Sequence, residues 1–536
     1  MNEDTRSTPV LDALAATTAE YGVPRVYGLP GGGTSAFVAA LERAGVRFVL
    51  AHTEAAAALM ASTDAEHSGR PSIVLTSLGP GAAAVVNGLA HCSLDRVPLL
   101  VITDRLAEPV NTAGYHQWLD HAQLLGGVVK ASFTLDAENA VSTFVEAYRL
   151  CASGVPGPVH IDMPGGAASW HTGALLGGMD QEPSEPTRVS DELLARVSAA
   201  RRPIVLAGLG ARRLTPGSLD RFAEGLRAPV LTTYKGKGAV DETGEWSAGI
   251  LTGGVAERPL LDRADLIVSF GLDSIELLTS MSPLSAHHVD IAGYSAGGGV
   301  LASAADELRG DVQALLDQLP AHGASEWAPS EAKGHRAAVD AAFAQTEVTG
   351  AGVHPWRTAE ILSEKLSAVA EVTVDAGAHM LPISQAWKAR APGRFWISNG
   401  LSTMGFALPA AIARSLADPA RTVVCCTGDG GLLMALGELA SASRLGHRLI
   451  IVVFDDQSLS LIRIKQAPSD LGHGVDFDGP RWADVCRGFD VAASEVSDEQ
   501  ALSAAVDVAM QSDRPSLISV RTDATPYGAM LEILRG

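Results

Sequence analysis

Short, uninterrupted apolar runs alternate along this chain with longer Ala- and Leu-rich stretches, and no other feature limits its architecture so strongly. Ile73–Thr76, Leu99–Thr103, Ile204–Ala207, Leu266–Phe270, Val372–Val374, Val423–Thr427 and Leu449–Phe454 are such runs. A strand apolar on both faces needs cover on both faces, which arises when helices cross over between parallel strands. The expected fold class is α/β, with doubly wound parallel sheets. A chain of 536 residues has room for about three such domains. Two breaks in pattern divide it. Residues 164–190 are rich in Gly, Pro and Ser and read as a linker; residues 320–356 are looser, with a helical piece expected at Ser330–Thr346. The domains expected are therefore 1–165, 190–320 and 355–536.

Composition narrows the class of function. Hydrophobic residues at 47% against 19% charged exclude a disordered or fibrous chain. A net charge of −21, with no local basic patch, argues against nucleic acid and anionic membranes as partners. The longest apolar runs, such as Leu449–Phe454, fall well short of the roughly 18 residues of a spanning helix. The opening MNEDTRSTPV is acidic and polar, unlike a secretory or mitochondrial leader. Five cysteines, at 92, 151, 425, 426 and 486, show no CxxC spacing. Reduced, buried thiols in a cytoplasmic protein are expected.

The densest chemistry lies in Thr422–Gln466, TVVCCTGDGGLLMALGELASASRLGHRLIIVVFDDQSLSLIRIKQ. It reads as strand, Gly-rich turn, helix, strand, acidic loop and helix. Asp429 sits where the first strand ends and Asp456 where the second ends, 27 positions later. That gap fits a turn, a helix of about four turns and a short strand. A right-handed crossover makes the strands parallel, so both acids emerge at the carboxyl edge, where α/β sheets bind ligands. Two converging carboxylates beside glycines at a helix N-terminus suit a hard cation and a phosphate. Alone, GDGG is as readily a plain turn and DDQS a plain helix cap; spacing and context together favour a site.

This segment resembles the thiamine-diphosphate-binding motif, a GDG followed 27 residues after its Asp by a second oxygen ligand, usually Asn. The resemblance implies Mg²⁺ held by Asp429, Asp456 and the backbone carbonyl of Ser458, with diphosphate oxygens and a water completing the shell. It also implies that Gly377, Gly428, Gly430, Gly431 and Leu459 line the cofactor. Asp456 departs from the usual Asn and adds negative charge beside a diphosphate.

The same resemblance extends over nearly the whole chain. VPRVYGLPGGG (23–33), VLAHTEAAAALMA (49–61) and VLTSLGPGAAAVVNGLAHCSLDRVPLLVITD (74–104) look like the pyrimidine-binding domain of that family. By itself Glu54 is an acid in a helix's first turn, favoured by the dipole. By resemblance it is the glutamate that bonds N1′ of the aminopyrimidine and activates the cofactor. GVPGPVHIDMP (154–164) matches the end of that domain, TTYKGKG (232–238) and ADLIVSFG (264–271) the middle one, and NGLSTMGFALPAA (399–411) the opening of the diphosphate domain. There Met404 stands where the family places an apolar residue under the thiazolium, although ordinary core packing is the commoner role of a lone Met. The backbone around Ser402 is expected to bond the aminopyrimidine edge.

The overall pattern is nearest the acetolactate synthase (acetohydroxyacid synthase) branch, which decarboxylates a 2-oxoacid and passes the acyl carbanion to a second carbonyl. That branch carries a Gln thirteen residues before a Lys, as Gln117 stands to Lys130 in YHQWLDHAQLLGGVVK (115–130). His116 precedes it, and the HQ-x-LD form also resembles the carboxyethylarginine synthase type. His116 is a candidate proton relay or carboxylate binder, or a solvated loop histidine. Lys465 replaces a Trp of true acetolactate synthases; it either meets an anionic substrate group or points outward. AGLGARR (207–213) lacks the full G-x-G-x-x-G, so nicotinamide binding is weakly signalled. FAD, which acetolactate synthases hold in the middle domain, is possible here, but LDSIEL (272–277) replaces their Arg/Asp-rich stretch. The alternatives to carboligation are simple 2-oxoacid decarboxylation and a non-catalytic cofactor-binding subunit. Since Glu54 and the metal motif fall in different domains, the resemblance implies a homodimer or homotetramer with shared active sites.

Overall fold

The computed structural model describes residues 8–106, 116–172, 188–277, 284–295, 304–320, 322–467 and 473–536. Three six-stranded sheets organise them, and every pairing within each is parallel. The doubly wound α/β architecture read from the apolar runs is present three times. The chain forms two compact units, Met1–Pro183 with Ile412–Ala417, and Ser184–Ala411 with Asp418–Gly536.

The first sheet runs from edge to edge as Arg47–Leu50, Arg25–Gly28, Ser72–Thr76, Leu99–Arg105, Pro158–Pro164 and Ser132–Thr134. Alternate residues of its strands serve opposite faces. Ile73, Leu75, Leu100 and Ile102 pack with Leu14, Phe37 and Phe144 from the helices Val10–Glu20, Ser35–Arg43 and Ala140–Ala152. Val74 and Val101, equally buried, are absent from that cluster. On helix Glu54–Ser68, Ala57, Ala58, Leu59 and Ala61 are buried. It meets helix Val86–Leu94 at Gly88, where a Cβ would lie 2.3 Å from that of Ala58. Part of the stretch read as a linker is structured: His171–Thr172 pairs antiparallel with Thr8–Pro9. Residues 173–187 lie outside the described residues.

The middle sheet is ordered Ser247–Ile250, Val230–Thr232, Pro203–Ala207, Leu266–Phe270, His287–Ala292, Ala304–Arg309. Numbered along the chain, that is 3-2-1-4-5-6, the order of dinucleotide-binding sheets. The helix expected in the second break is found at Pro329–Ala344.

The third sheet is ordered Phe395–Ile397, Ala370–Val374, Thr422–Gly428, Leu449–Asp455, Ser516–Arg521, Ala492–Val496. Its order along the chain, 2-1-3-4-6-5, repeats that of the first sheet. In both, the winding direction reverses between the first and third strands, which opens a crevice at their carboxyl ends. No helix among the described residues is long and apolar enough to cross a membrane. All five cysteines are free and buried.

Candidate active site

In the third sheet the reversal point lies between Ala370–Val374 and Thr422–Gly428, and acids follow both strands. Asp429 comes directly after Gly428, and Asp456 directly after Asp455 on the neighbouring strand, whose parallel register pairs Gly428 with Phe454. The spacing argument is thus met: both carboxylates leave the sheet at one edge. Asp429 is 2% exposed; its Oδ2 accepts the Gln457 N–H at 2.6 Å and its Oδ1 that of Gly430 at 2.7 Å. Asp456 accepts from the Ser458 N–H at 3.1 Å and the Ser460 hydroxyl at 2.7 Å. Burial, and after it the charge of Asp456, pushes the Asp429 carboxyl up to about 7. Burial likewise pushes Asp456 up to about 6. Two acids for which ionisation is this costly fit a divalent cation, which would repay the charge of both.

Backbone geometry fixes the residues that follow Asp456. Gln457 takes a left-handed φ of 58°, the Leu459 N–H donates to the Val475 carbonyl, and the Phe477 N–H to the Gln457 carbonyl. A Cβ on Gly430 would lie 3.0 Å from Leu459 Cδ2 and 3.5 Å from Met404 Cε. Gly430, Leu459 and Met404 thus lie close together. Met404 is half-buried, and Ser402 is exposed with a left-handed φ of 53°, as befits a turn that presents backbone rather than side chain.

Two residues of the third domain escaped the sequence reading. Asp375, 1% exposed, accepts the N–H groups of Gly405 and Phe406 at 3.0 Å each and the Thr427 hydroxyl at 3.0 Å. It ties the loop carrying Met404 to the strand that ends at Gly428. Burial raises its carboxyl to about 6 against the pull of those donors. Its signal was present: VTVD repeats the strand-then-acid pattern of the GDG segment. His379 had no comparable signal. Its ring stacks on Phe454 at 5.5 Å and abuts Gly377 and Gly428, whose added Cβ atoms would lie 2.8 and 3.3 Å from Nδ1. Burial lowers its pKa to about 3, so the imidazole is neutral. Its Nε2 meets no hydrogen-bond partner among the described residues. A buried, orphaned ring nitrogen beside two glycines fits a ligand oxygen.

In the first unit, Glu54 opens its helix behind the Thr53 cap, whose hydroxyl accepts the Ala56 N–H at 3.1 Å. Glu54 is half-buried, and its Oε1 would lie 3.4 Å from a Cβ on Gly81. The carboxylate thus leans on the Gly79–Pro80–Gly81 turn. Gln117 borders the same turn: its carbonyl would lie 2.3 Å from a Cβ on Gly79, and its own φ is 62°. Beneath stands a polar chain that sequence reading missed. The Gly79 N–H donates to His121 Nε2 at 3.1 Å, and His121 Nδ1 meets Asp162 Oδ1 at 2.7 Å. The Thr103 hydroxyl lies 2.8 Å from both Asp162 Oδ1 and His160 Nε2, occupying the space between the two histidines and the acid. A cavity of about 250 Å³ opens beside them, lined by Arg105, Gln117, Trp118, His121 and Asp162 among others.

Other candidates are placed less centrally. His116 and Gln117 are both exposed. Lys130, the partner of Gln117 in the thirteen-residue spacing, is committed elsewhere: its Nζ donates to the carbonyls of Leu150 and Ser153, at 2.6 Å each, at the end of helix Ala140–Ala152. Lys465 is exposed on helix Ser460–Gln466. Tyr115, at the head of that motif, lies outside the described residues.

Three parallel α/β domains, with paired acids and glycines at one sheet edge and a helix-opening glutamate at another, define the class of α/β proteins that bind ligands beyond the carboxyl ends of their strands. Family models match the chain in the corresponding order: "Thiamine pyrophosphate enzyme, N-terminal TPP binding domain" over residues 9–124, the central domain over 190–319 and the C-terminal TPP binding domain over 375–520. The chain belongs to the thiamine pyrophosphate (thiamine diphosphate) enzymes. It is 28% identical to the acetolactate synthase isozyme 2 large subunit of Escherichia coli (strain K12), over 94% of this chain and 93% of that protein. It is 28% identical to the acetolactate synthase large subunit of Lactococcus lactis subsp. lactis (strain IL1403), over 83% of this chain and 80% of the relative. With acetolactate synthase of Bacillus subtilis (strain 168) it shares 26% identity, over 96% and 92%.

Proposed function

We propose that this chain is a thiamine diphosphate- and Mg²⁺-dependent carboligase of the acetolactate synthase type, which decarboxylates a 2-oxoacid and transfers the acyl anion to a second carbonyl. The observation that carries this reading is the pair Asp429 and Asp456 at one sheet edge, each made reluctant to ionise by burial, beside the neutral, orphaned His379. Asp429, Asp456 and the Ser458 carbonyl hold the cation. Gly377, Gly428, Gly430, Gly431 and Leu459 admit the diphosphate, with the neutral His379 ring beside them. Met404 supports the thiazolium, and the backbone around Ser402 meets the pyrimidine. When bound, thiamine diphosphate supplies a nucleophilic carbon and an electron sink for the decarboxylated acyl group. Glu54 holds a proton at the pyrimidine nitrogen. Gln117, His116 and Lys465 are the candidates for meeting the substrate.

Glu54 belongs to one compact unit and Asp429 to the other; the family resemblance supports an arrangement in which two copies of the chain share each site. The test is direct. Purified protein is given a 2-oxoacid alone and with a second carbonyl compound, and products are separated. A ligated hydroxyketone is expected; free aldehyde alone would remove the carboligase reading. Glu54→Gln is expected to lower kcat by roughly 10²–10⁴-fold, the usual worth of a positioned acid–base group, while calorimetry still registers cofactor uptake.

A further inference from the structure

The middle sheet reverses its winding between Pro203–Ala207 and Leu266–Phe270. In a sheet of this order that is where a dinucleotide's diphosphate rests, on the N–H groups of the glycine turn. Here the chain has filled the position with its own atoms. The turn Gly208–Leu209–Gly210 lies on Gly271–Leu272: the Gly210 N–H donates to the Gly271 carbonyl at 2.9 Å, and a Cβ on Gly208 would lie 2.5 Å from Leu272 Cα. Beside the turn stands the carboxylate of Glu276, 1% exposed. It accepts the N–H groups of Leu209 and Asp273 at 3.0 Å each and the hydroxyl of Thr233. Donors from the loops after three adjacent strands thus converge on one side-chain carboxyl. A flavin or nicotinamide dinucleotide does not fit: its diphosphate would need to displace a buried carboxyl that already takes the donors of this turn.

The same segment reaches the third sheet. The Asn399 amide donates to the backbone carbonyls of Ile275 and Glu276, at 3.4 and 3.3 Å. Asn399 opens the loop that carries Ser402 and Met404, and the Ser402 hydroxyl donates back to the Asn399 carbonyl at 2.8 Å.

The geometry points to Glu276 as a built-in acceptor that takes the place of a dinucleotide's diphosphate in the middle domain and, through Asn399, positions the loop on which the thiamine cofactor would rest. The exclusion of a dinucleotide stands on the middle domain alone; the positioning role rests on the proposed function.

The experiment has two readouts besides turnover. The first is flavin released from denatured protein, read by absorbance near 450 nm, together with calorimetric titration of the folded enzyme with FAD, NAD and NADP. No flavin and no uptake are expected; one flavin per chain, or saturable uptake of any of the three, overturns the exclusion. The second is the Kd for thiamine diphosphate with Mg²⁺. Glu276→Gln turns an amide N–H₂ toward N–H donors and is expected to weaken uptake roughly 10- to 100-fold, as loss of an outer-shell partner does, with turnover recovering at saturating cofactor. Asn399→Ala, which leaves the carboxylate seated, is expected to do the same and carries the test should the Gln variant fail to fold. Wild-type Kd in Asn399→Ala overturns the positioning role. Absence of uptake by the wild-type enzyme instead overturns the proposed function and leaves the flavin result standing.

Discussion

In the proposed cation site Asp456 would place a second acid where an amide could also offer an oxygen. Burial raises its carboxyl to about 6. Asp456→Asn removes the acid beside Asp429 and keeps the oxygen. It is expected to bind Mg²⁺ and thiamine diphosphate at least as tightly as wild type, by calorimetry at pH 6.5. Asp429→Ala, which deletes the acid tied to Gln457 and Gly430, is expected to weaken uptake by more than roughly 100-fold, beyond what outer-shell losses cost. Asp162 gives a pH prediction of the opposite sort. Burial works to raise its carboxyl, but the hydrogen bond from His121 and the surrounding donors win and hold it below the usual range. A carboxylate depressed in the folded state contributes stability above its ordinary pKa of about 4, and that stability is lost as pH falls through the folded value. Asp162→Asn is expected to lose about 1.5–3 kcal/mol, the worth of bonds to a charged group, in calorimetric scans at pH 7. Its Tm gap from wild type should close as the pH drops below 4. The paired acids were legible because a fixed separation of 27 positions maps onto helix and strand dimensions. His379 and His121 were not, because a histidine's function depends on what packs beside it, and its neighbours here, Phe454, Gly428 and Gly79, are distant in sequence.

Helix Glu54–Ser68 is aimed by how closely its neighbour can approach. Gly88 on helix Val86–Leu94 leaves no room for another carbon against Ala58. Gly88→Ala is therefore expected to push the two helices apart, costing about 1–3 kcal/mol as overpacking does, and to reduce turnover through displacement of Glu54. A lower Tm with normal kcat would mean that the helix end tolerates the shift. Apolar runs marked the strands well, since a strand covered on both faces has little freedom in composition. The pairing of Thr8–Pro9 with His171–Thr172 was invisible for the converse reason: two residues carry no period, and their partners lie far along the chain. The thirteen-residue step from Gln117 to Lys130 was a case of spacing without periodicity. The short helix His121–Leu125 intervenes, and the lysine instead donates to carbonyls at the end of helix Ala140–Ala152, a common use for a cation there.

The first and third sheets share one strand order, 2-1-3-4-6-5, and each brings one half of the proposed site to the carboxyl ends of its strands: Glu54 and the Gly79 turn in one, the proposed metal pair in the other. Sharing between copies makes a quantitative claim. Mixing Glu54→Gln chains with Asp429→Ala chains under conditions that exchange subunits should restore about a quarter of wild-type activity, because half of randomly assorted dimers are mixed and each mixed dimer has one intact site. No recovery, with exchange verified by mass, would place both halves of a site in a single chain. The resemblance made this legible as an implication, since sequence assigns residues to domains but not domains to neighbours.

The cysteines carry one more consequence. Cys92 and Cys151 belong to the first domain, and Cys425, Cys426 and Cys486 to the third; all are buried, and burial holds the thiols of Cys151, Cys425, Cys426 and Cys486 above their ordinary pKa. Alkylating reagents need exposed thiolate, so the native enzyme should resist them. Peptide mapping after a brief iodoacetamide pulse in rising urea would then record the order in which the outer two domains open, without any engineered label.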